Sequence, residues 1–156
     1  ILNFGSGHAG VSLLLRSNNH TVYNFDYITP KEKFFNDNYY FIDDFDKINN
    51  DLKFDIIYSS HALEHVTDIL SLLKKFQNVS HSETFYFFEV PNGFNQNEIR
   101  PPHTLYFTRN FFGTFFEKKN EESKVYINYI YKDNKEILED VKGGVINLIT
   151  NNKMNI

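Results

Sequence analysis

Three glycines, Gly5, Gly7 and Gly10, stand in the spacing G-x-G-x-x-G between an apolar run, Ile1-Leu2-Asn3-Phe4, and a helical pattern that opens at Val11. Such a loop turns a strand sharply into a helix and bares backbone N–H groups to a nucleotide-like ligand. One glycine makes the tight turn, one clears room for the ligand, and one lets helix and strand pack closely. Taken alone, the pattern also fits a purely structural turn. Asp26 follows about 20 residues beyond Gly5, the distance at which a carboxylate meets a ribose diol. Asp43 and Asp44 close the next apolar run, where one of them could accept from an adenine amine. Each acid has a plainer reading, Asp26 as a turn residue and Asp44 as a helix N-cap. Their joint placement at successive strand ends favours binding.

More polar residues gather after later apolar runs. Ser59-Ser60-His61 follow one run and Pro91-Asn92 the next. His103 lies between the fifth strand and a helix beginning near Phe111, in a segment able to cover a pocket mouth. It is the candidate general base if an acceptor hydroxyl must lose a proton. The plainer reading is a loop histidine packed under Tyr106. Arg100 could clamp an anionic substrate group, although a solvated loop arginine has the same sequence signature. His61-Ala62-Leu63-Glu64-His65 also spells H-x-x-E-H, a zinc-peptidase motif. Zinc would need both histidines on one helical face and a third ligand from elsewhere. The spacing of Leu63, Val66, Leu70 and Leu73 predicts a core-packed helix, with His61 at the strand-to-helix turn. No metal is expected there.

The elements that must position these residues read as alternating strands and helices. After the glycine loop, Val11, Leu14 and Leu15 predict a short helix with one apolar face, ending at Ser17-Asn18-Asn19. Thr21 to Phe25 reads as a second strand, and a short helix from Pro30 precedes a third strand, Tyr39 to Ile42. Phe54 to Tyr58 is a fourth strand, and Phe85 to Phe88 a fifth, apolar on both faces as a central parallel strand should be. Phe111, Phe112, Phe115 and Phe116 make an amphipathic helix whose stripe is core. Two strands in succession, 124 to 131 and 145 to 149, predict an antiparallel pair at one sheet edge. The order is that of an α/β, doubly wound sheet with a closing hairpin.

Composition narrows the partners. At 156 residues, 41% hydrophobic and 23% charged, the chain has the make-up of one globular domain. A net charge of −4 with no basic block argues against a nucleic-acid partner. With no cysteine, neither disulfides nor thiolate metal sites are possible. No apolar run has the length of a membrane span and no signal peptide precedes the first strand, so a cytoplasmic location is expected. A first strand at the very start of the chain suggests a core whose upstream part is missing.

At these residues the chain resembles the class I S-adenosylmethionine-dependent methyltransferases, over nearly its whole length. The resemblance rests on ILNFGSGHAG, on Asp26 ending YNFD, on FIDDF, and above all on FDIIYSSHALEHV at 54 to 66. That segment looks like the LEHV signature of the family's small-molecule branch, and VPNG and PPHTLYFT look like its later part. The resemblance implies a mostly parallel, seven-stranded sheet with the C-terminal antiparallel pair. It implies S-adenosyl-L-methionine as cofactor, with Gly5 and Gly7 bordering its methionyl and ribose parts and Ser6 between them. Asp26, with Tyr27 beside it, would hold the ribose hydroxyls, Asp43 or Asp44 the adenine, and Ser60 or His61 the methionyl wall. Asn3 also belongs to this cofactor set but departs from the usual Asp or Glu, bringing an amide to organise the loop without negative charge. The acceptor would be a small molecule, a sugar or related metabolite methylated on oxygen, met by Asn92, Arg100 and Tyr106. A nicotinamide-dependent oxidoreductase is the rival enzyme reading, since glycine loop and Asp26 suit that cofactor equally. A methyltransferase-like module that binds partners without catalysis is the third.

Overall fold

The computed structural model describes residues 1–27, 39–41, 45, 48, 51–91, 93, 103–115, 124–128, 145–150, 154 and 156. In chain order these form β1 (Leu2–Phe4), α1 (Gly10–Ser17), β2 (Tyr23–Asp26), β3 (Tyr39–Phe41) and β4 (Phe54–Ser60). A single 3₁₀ turn, Leu63–His65, then leads to α2 (Ile69–Asn78), β5 (Ser80–Pro91), α3 (Arg109–Phe115), β6 (Lys124–Asn128) and β7 (Val145–Thr150). The strands pair in the order β3-β2-β1-β4-β5-β7-β6. β1 to β5 run parallel, while β7 is antiparallel to both β5 and β6. Strand order therefore reverses between β1 and β4, which sends successive loops to opposite sides of one crevice. The helix expected from Pro30 lies outside the described residues.

Aromatic rings fill one face of the sheet. Phe4 meets Phe76 of α2 edge-on at 5.4 Å, Phe76 meets Phe88 of β5 at 5.7 Å, and Phe88 meets Phe112 of α3 at 5.8 Å. Leu2, Phe25, Ile57, Leu63 and Leu73 complete the same buried cluster. Each such side chain contributes about 1.5–3 kcal/mol by leaving water, so this face anchors the strand ends. α3 presents Phe112 to that core, with Phe111 and Phe115 packed beside it, as the phenylalanine spacing requires.

Two helical expectations are corrected. The apolar stripe 63 to 76 is not one helix: the chain makes one 3₁₀ turn, goes extended at Val66, and starts α2 only after Asp68. Asp68 accepts from the Ser71 N–H at 3.0 Å, a side-chain N-cap that sets the start. α2 then buries Ile69, Leu72, Leu73 and Phe76 and leaves Leu70 exposed. In α1, Ser12 is the buried residue, while Leu14 is 66% exposed. The cause is a polar contact that outranks the apolar spacing. Asn3 Nδ2 donates to Ser12 Oγ at 2.8 Å and to Asn24 Oδ1 at 3.2 Å, and Ser12 Oγ also donates to Asn24 Oδ1. All three residues are buried, so each bond replaces one otherwise made to water.

Candidate active site

The loop after β1 is held onto the end of β2. Gly5 and Ser6 N–H groups both donate to the Phe25 carbonyl, at 2.8 and 3.2 Å. Gly7 N–H donates to Asp26 Oδ2 at 2.6 Å. Gly5 at φ +73° and Gly7 at φ +51° take the left-handed backbone that such a loop needs. The two positions differ in their surroundings. A Cβ on Gly5 would overlap the Ala62 Cβ, whereas a Cβ on Gly7 would meet nothing within 4 Å. Gly5 is thus glycine for backbone and space together, and Ala62, just after β4, forms the opposite wall. Ser6 Oγ is buried with no hydrogen-bond partner among the described residues, a donor left for a ligand's polar group. Open space beside Gly7, a carboxylate and a spare hydroxyl fit an adenosyl cofactor with its ribose diol and charged methionyl end.

The β4 end supplies the second wall. Ser60 Oγ donates to Glu89 Oε1 at 2.7 Å, and His61 N–H donates to the Glu89 carbonyl at 3.0 Å. His61 has φ +50°, a conformation rarely adopted by a residue with a Cβ. It turns the ring between two carboxylates: Nδ1 lies 3.6 Å from Glu64 Oε1, and Nε2 lies 3.6 Å from Glu89 Oε1. Strain of this kind persists where the surroundings over-determine it.

The segment carrying His103 is tied down on the 3₁₀ turn. The Glu64 carbonyl accepts from Thr104 N–H at 2.8 Å, Leu105 N–H at 3.0 Å and Thr104 Oγ1 at 3.1 Å. Thr104 Oγ1 also reaches the Val66 carbonyl at 3.0 Å. Gly93 N–H donates to the Phe107 carbonyl at 2.8 Å, which brings the chain after β5 against Tyr106 and Phe107. The ring of His103 consequently stands 5.0 Å from that of His65.

Of the residues expected from the sequence, the structure brings Gly5, Ser6, Gly7 and Asp26 into one loop cluster, with Tyr27 exposed beside Asp26. Ser60 and His61 share the β4 end, one residue from the Ala62 wall, and His103 and Tyr106 belong to the segment tied to Glu64. Asn3 lies beneath the loop, bonded to α1 and β2 rather than to the glycines. Asp43, Asp44, Asn92 and Arg100 lie outside the described residues. Sequence reasoning passed over Ala62, Glu64 and Glu89. Glu64 had a signal, being the acid of H-x-x-E-H, whereas Ala62 and Glu89 had none, because their roles come from contacts across the sheet.

A mostly parallel sheet with a glycine loop at its switch point and a carboxylate on the neighbouring strand defines a Rossmann-like nucleotide-binding fold. A family model described as "Methyltransferase domain" matches residues 1–150. The chain belongs to that family, and its reaction class is methyl transfer with S-adenosyl-L-methionine as the cofactor. Among solved structures, the chain is similar to the crystal structure of a SAM dependent methyltransferase from Archaeoglobus fulgidus, with a TM-score of 0.61 and 16% identity. The match covers 96% of this chain and 85% of that one. No curated protein matches the chain in sequence. The family decides against the nicotinamide reading, which rested on features the two cofactors share. No helix among the described residues is long and apolar enough to cross a membrane.

Proposed function

We propose that the chain, as one domain over residues 1 to 156, methylates a hydroxyl oxygen of a small molecule, a sugar or related metabolite. The observation that supports the donor half of this reading is the grip of Asp26 on the Gly7 N–H within a loop walled by Ala62. It gathers the groups suited to ribose and methionyl recognition at one rim of the sheet. The activated methyl group needs little from the protein beyond alignment with an acceptor oxygen and exclusion of water. Gly5 to Gly7 and Asp26 hold the donor, with Asp43 or Asp44 toward its adenine and Ser60 and His61 toward the methionyl side. Asn92, Arg100 and Tyr106 meet the acceptor, and His103 handles the proton that a hydroxyl must lose. The net charge of −4 supports a small acceptor over a nucleic acid. A cytoplasmic setting suits the reading.

The test is to incubate the full chain with S-adenosyl-L-methionine and a panel of sugars and other hydroxylated metabolites, and to follow product mass. A product heavier than its acceptor by one methylene, lost in Asp26→Ala, is expected. Methylation confined to nucleic acid or protein would remove the small-molecule assignment. Full donor affinity in Asp26→Ala would remove the site.

A further inference from the structure

We propose that Glu64, His65 and His103 form a site for one divalent first-row transition ion beside the methyl-transfer pocket. One ligand atom from each residue lies within 4.8 Å of the others. His65 Nε2 is 3.9 Å from Glu64 Oε1. Ions of this class hold nitrogen and oxygen ligands at roughly 2.0–2.2 Å, which sets ligand atoms about 3–3.5 Å apart. Closure asks the two half-buried imidazoles to move by about an ångström, within the reach of side-chain rotation.

A second observation points to the same place. The Glu64 side chain is 2% exposed, and its Oε2 has no hydrogen-bond partner among the described residues. A carboxylate withdrawn from water requires a compensating positive charge and bonds for its lone pairs. His61 and His65 stand near Oε1 at 3.6 and 3.9 Å, beyond hydrogen-bond range. A cation between Glu64, His65 and His103 supplies what the carboxylate lacks. The backbone holds the site ready. The Glu64 carbonyl receives three bonds from Thr104 and Leu105, which lock the segment bearing His103 to the turn bearing the other two ligands. The sequence expectation of no metal assumed a core-packed helix through 63 to 73, and the 3₁₀ turn removes that objection.

Two imidazoles and one carboxylate suit manganese, iron, cobalt or zinc, while magnesium and calcium prefer oxygen alone. Three protein ligands leave coordination positions open to a substrate oxygen. An acceptor hydroxyl bound there releases its proton to water more readily. Its oxygen then forms the bond to the methyl carbon as the carbon–sulfur bond breaks, and S-adenosylhomocysteine leaves with the electron pair on sulfur. His103 in this arrangement acts on the acceptor through the ion. This role rests on the methyl-transfer reading, whereas ion binding does not.

The full chain, stripped with a chelator, is titrated with Co²⁺, Mn²⁺ and Zn²⁺ by calorimetry, and Co²⁺ is also followed by its d–d absorption. One ion per chain is expected, with affinity reduced about tenfold or more in Glu64→Gln and in His103→Ala and kept in Asp26→Ala. Glu64→Gln preserves the buried shape, and His103→Ala alters a half-buried side chain, so one informs if the other fails to fold. Equal Co²⁺ binding by the folded variants and the parent, or none at millimolar Co²⁺, overturns the site. Full methyl transfer by the stripped chain overturns the role in acceptor activation while leaving the methyl-transfer reading intact. Ion binding without any S-adenosyl-L-methionine binding sinks that reading alone.

Discussion

Gly5→Ala should be far more damaging than Gly7→Ala, although both glycines occupy the left-handed region. Gly7 has φ +51° and open space where a Cβ would go, so its substitution carries the backbone term alone. That term is about 1–2 kcal/mol for a residue with a Cβ. Gly5 at φ +73° carries the same term, and its new methyl group overlaps the Ala62 Cβ. Overpacking of a fitted contact adds about 1–3 kcal/mol. The sum, about 2–5 kcal/mol, is a large share of the roughly 5–15 kcal/mol that holds a typical domain folded.

The overlap is between two named methyl groups, so a double-mutant cycle isolates it. Ala62→Gly in the Gly5→Ala background opens the space and should restore about 1–3 kcal/mol, leaving the backbone term unrecovered. Ala62→Gly alone should cost no more than about 1 kcal/mol, through added freedom of the unfolded chain. Urea denaturation of the four proteins gives the stabilities, and calorimetric titration with S-adenosyl-L-methionine shows whether loop geometry follows. A coupling energy below about 0.5 kcal/mol, the range of ordinary additivity, would mean that Ala62 does not wall the loop. Equal losses in Gly5→Ala and Gly7→Ala would refute the reasoning as a whole.

Asp26→Ala removes the carboxylate proposed to hold the ribose hydroxyls, along with the acceptor that Gly7 N–H meets at 2.6 Å; loss of one charged hydrogen bond to the cofactor, about 1.5–3 kcal/mol, should weaken S-adenosyl-L-methionine binding by roughly 10- to 150-fold in calorimetry. Asn3→Ala strips Ser12 and Asn24 of a shared donor in a buried site and should lower stability by about 1–3 kcal/mol in urea, the loss coming from folding rather than from direct cofactor contact. Burial holds the Tyr86 phenol above its ordinary pKa of 10, so the folded state resists its ionisation. The stability it contributes is complete below the unfolded value and is lost as pH rises through the folded one. Thermal melts above pH 10 should show that loss in the parent and a shallower one in Tyr86→Phe.

The parallel sheet and the placing of Gly5, Gly7 and Asp26 in one loop cluster were legible because strand ends and glycine spacing are local signals. Asp26 illustrates the point: a short apolar strand followed by one acid places a carboxylate on the rim whatever packs behind it. α1 was misread for the opposite reason. Periodicity assigns Val11, Leu14 and Leu15 to the inner face, but the helix turns Ser12 inward because Asn3 and Asn24 on two strands offer it buried partners. That partnership spans three elements and leaves no mark in any one of them.

The turn at Leu63–His65 shows where the same limit touches function. A run of apolar residues at helical spacing continues through Leu63, Val66, Leu70 and Leu73, and on a helix Glu64 would be one more residue beside a packed stripe. What breaks the helix is tertiary: Thr104 and Leu105 take the Glu64 carbonyl, and Asp68 caps a new start. Thr104→Val tests this directly, since it deletes the hydroxyl shared by the Glu64 and Val66 carbonyls while keeping the side chain's shape. About 1–2 kcal/mol of stability should be lost, and His103 should drift from His65. If that segment sets the acceptor side, KM for the acceptor rises while calorimetric affinity for S-adenosyl-L-methionine stays put. A loss confined to the donor would instead place residues 103 to 107 on the cofactor side of the crevice.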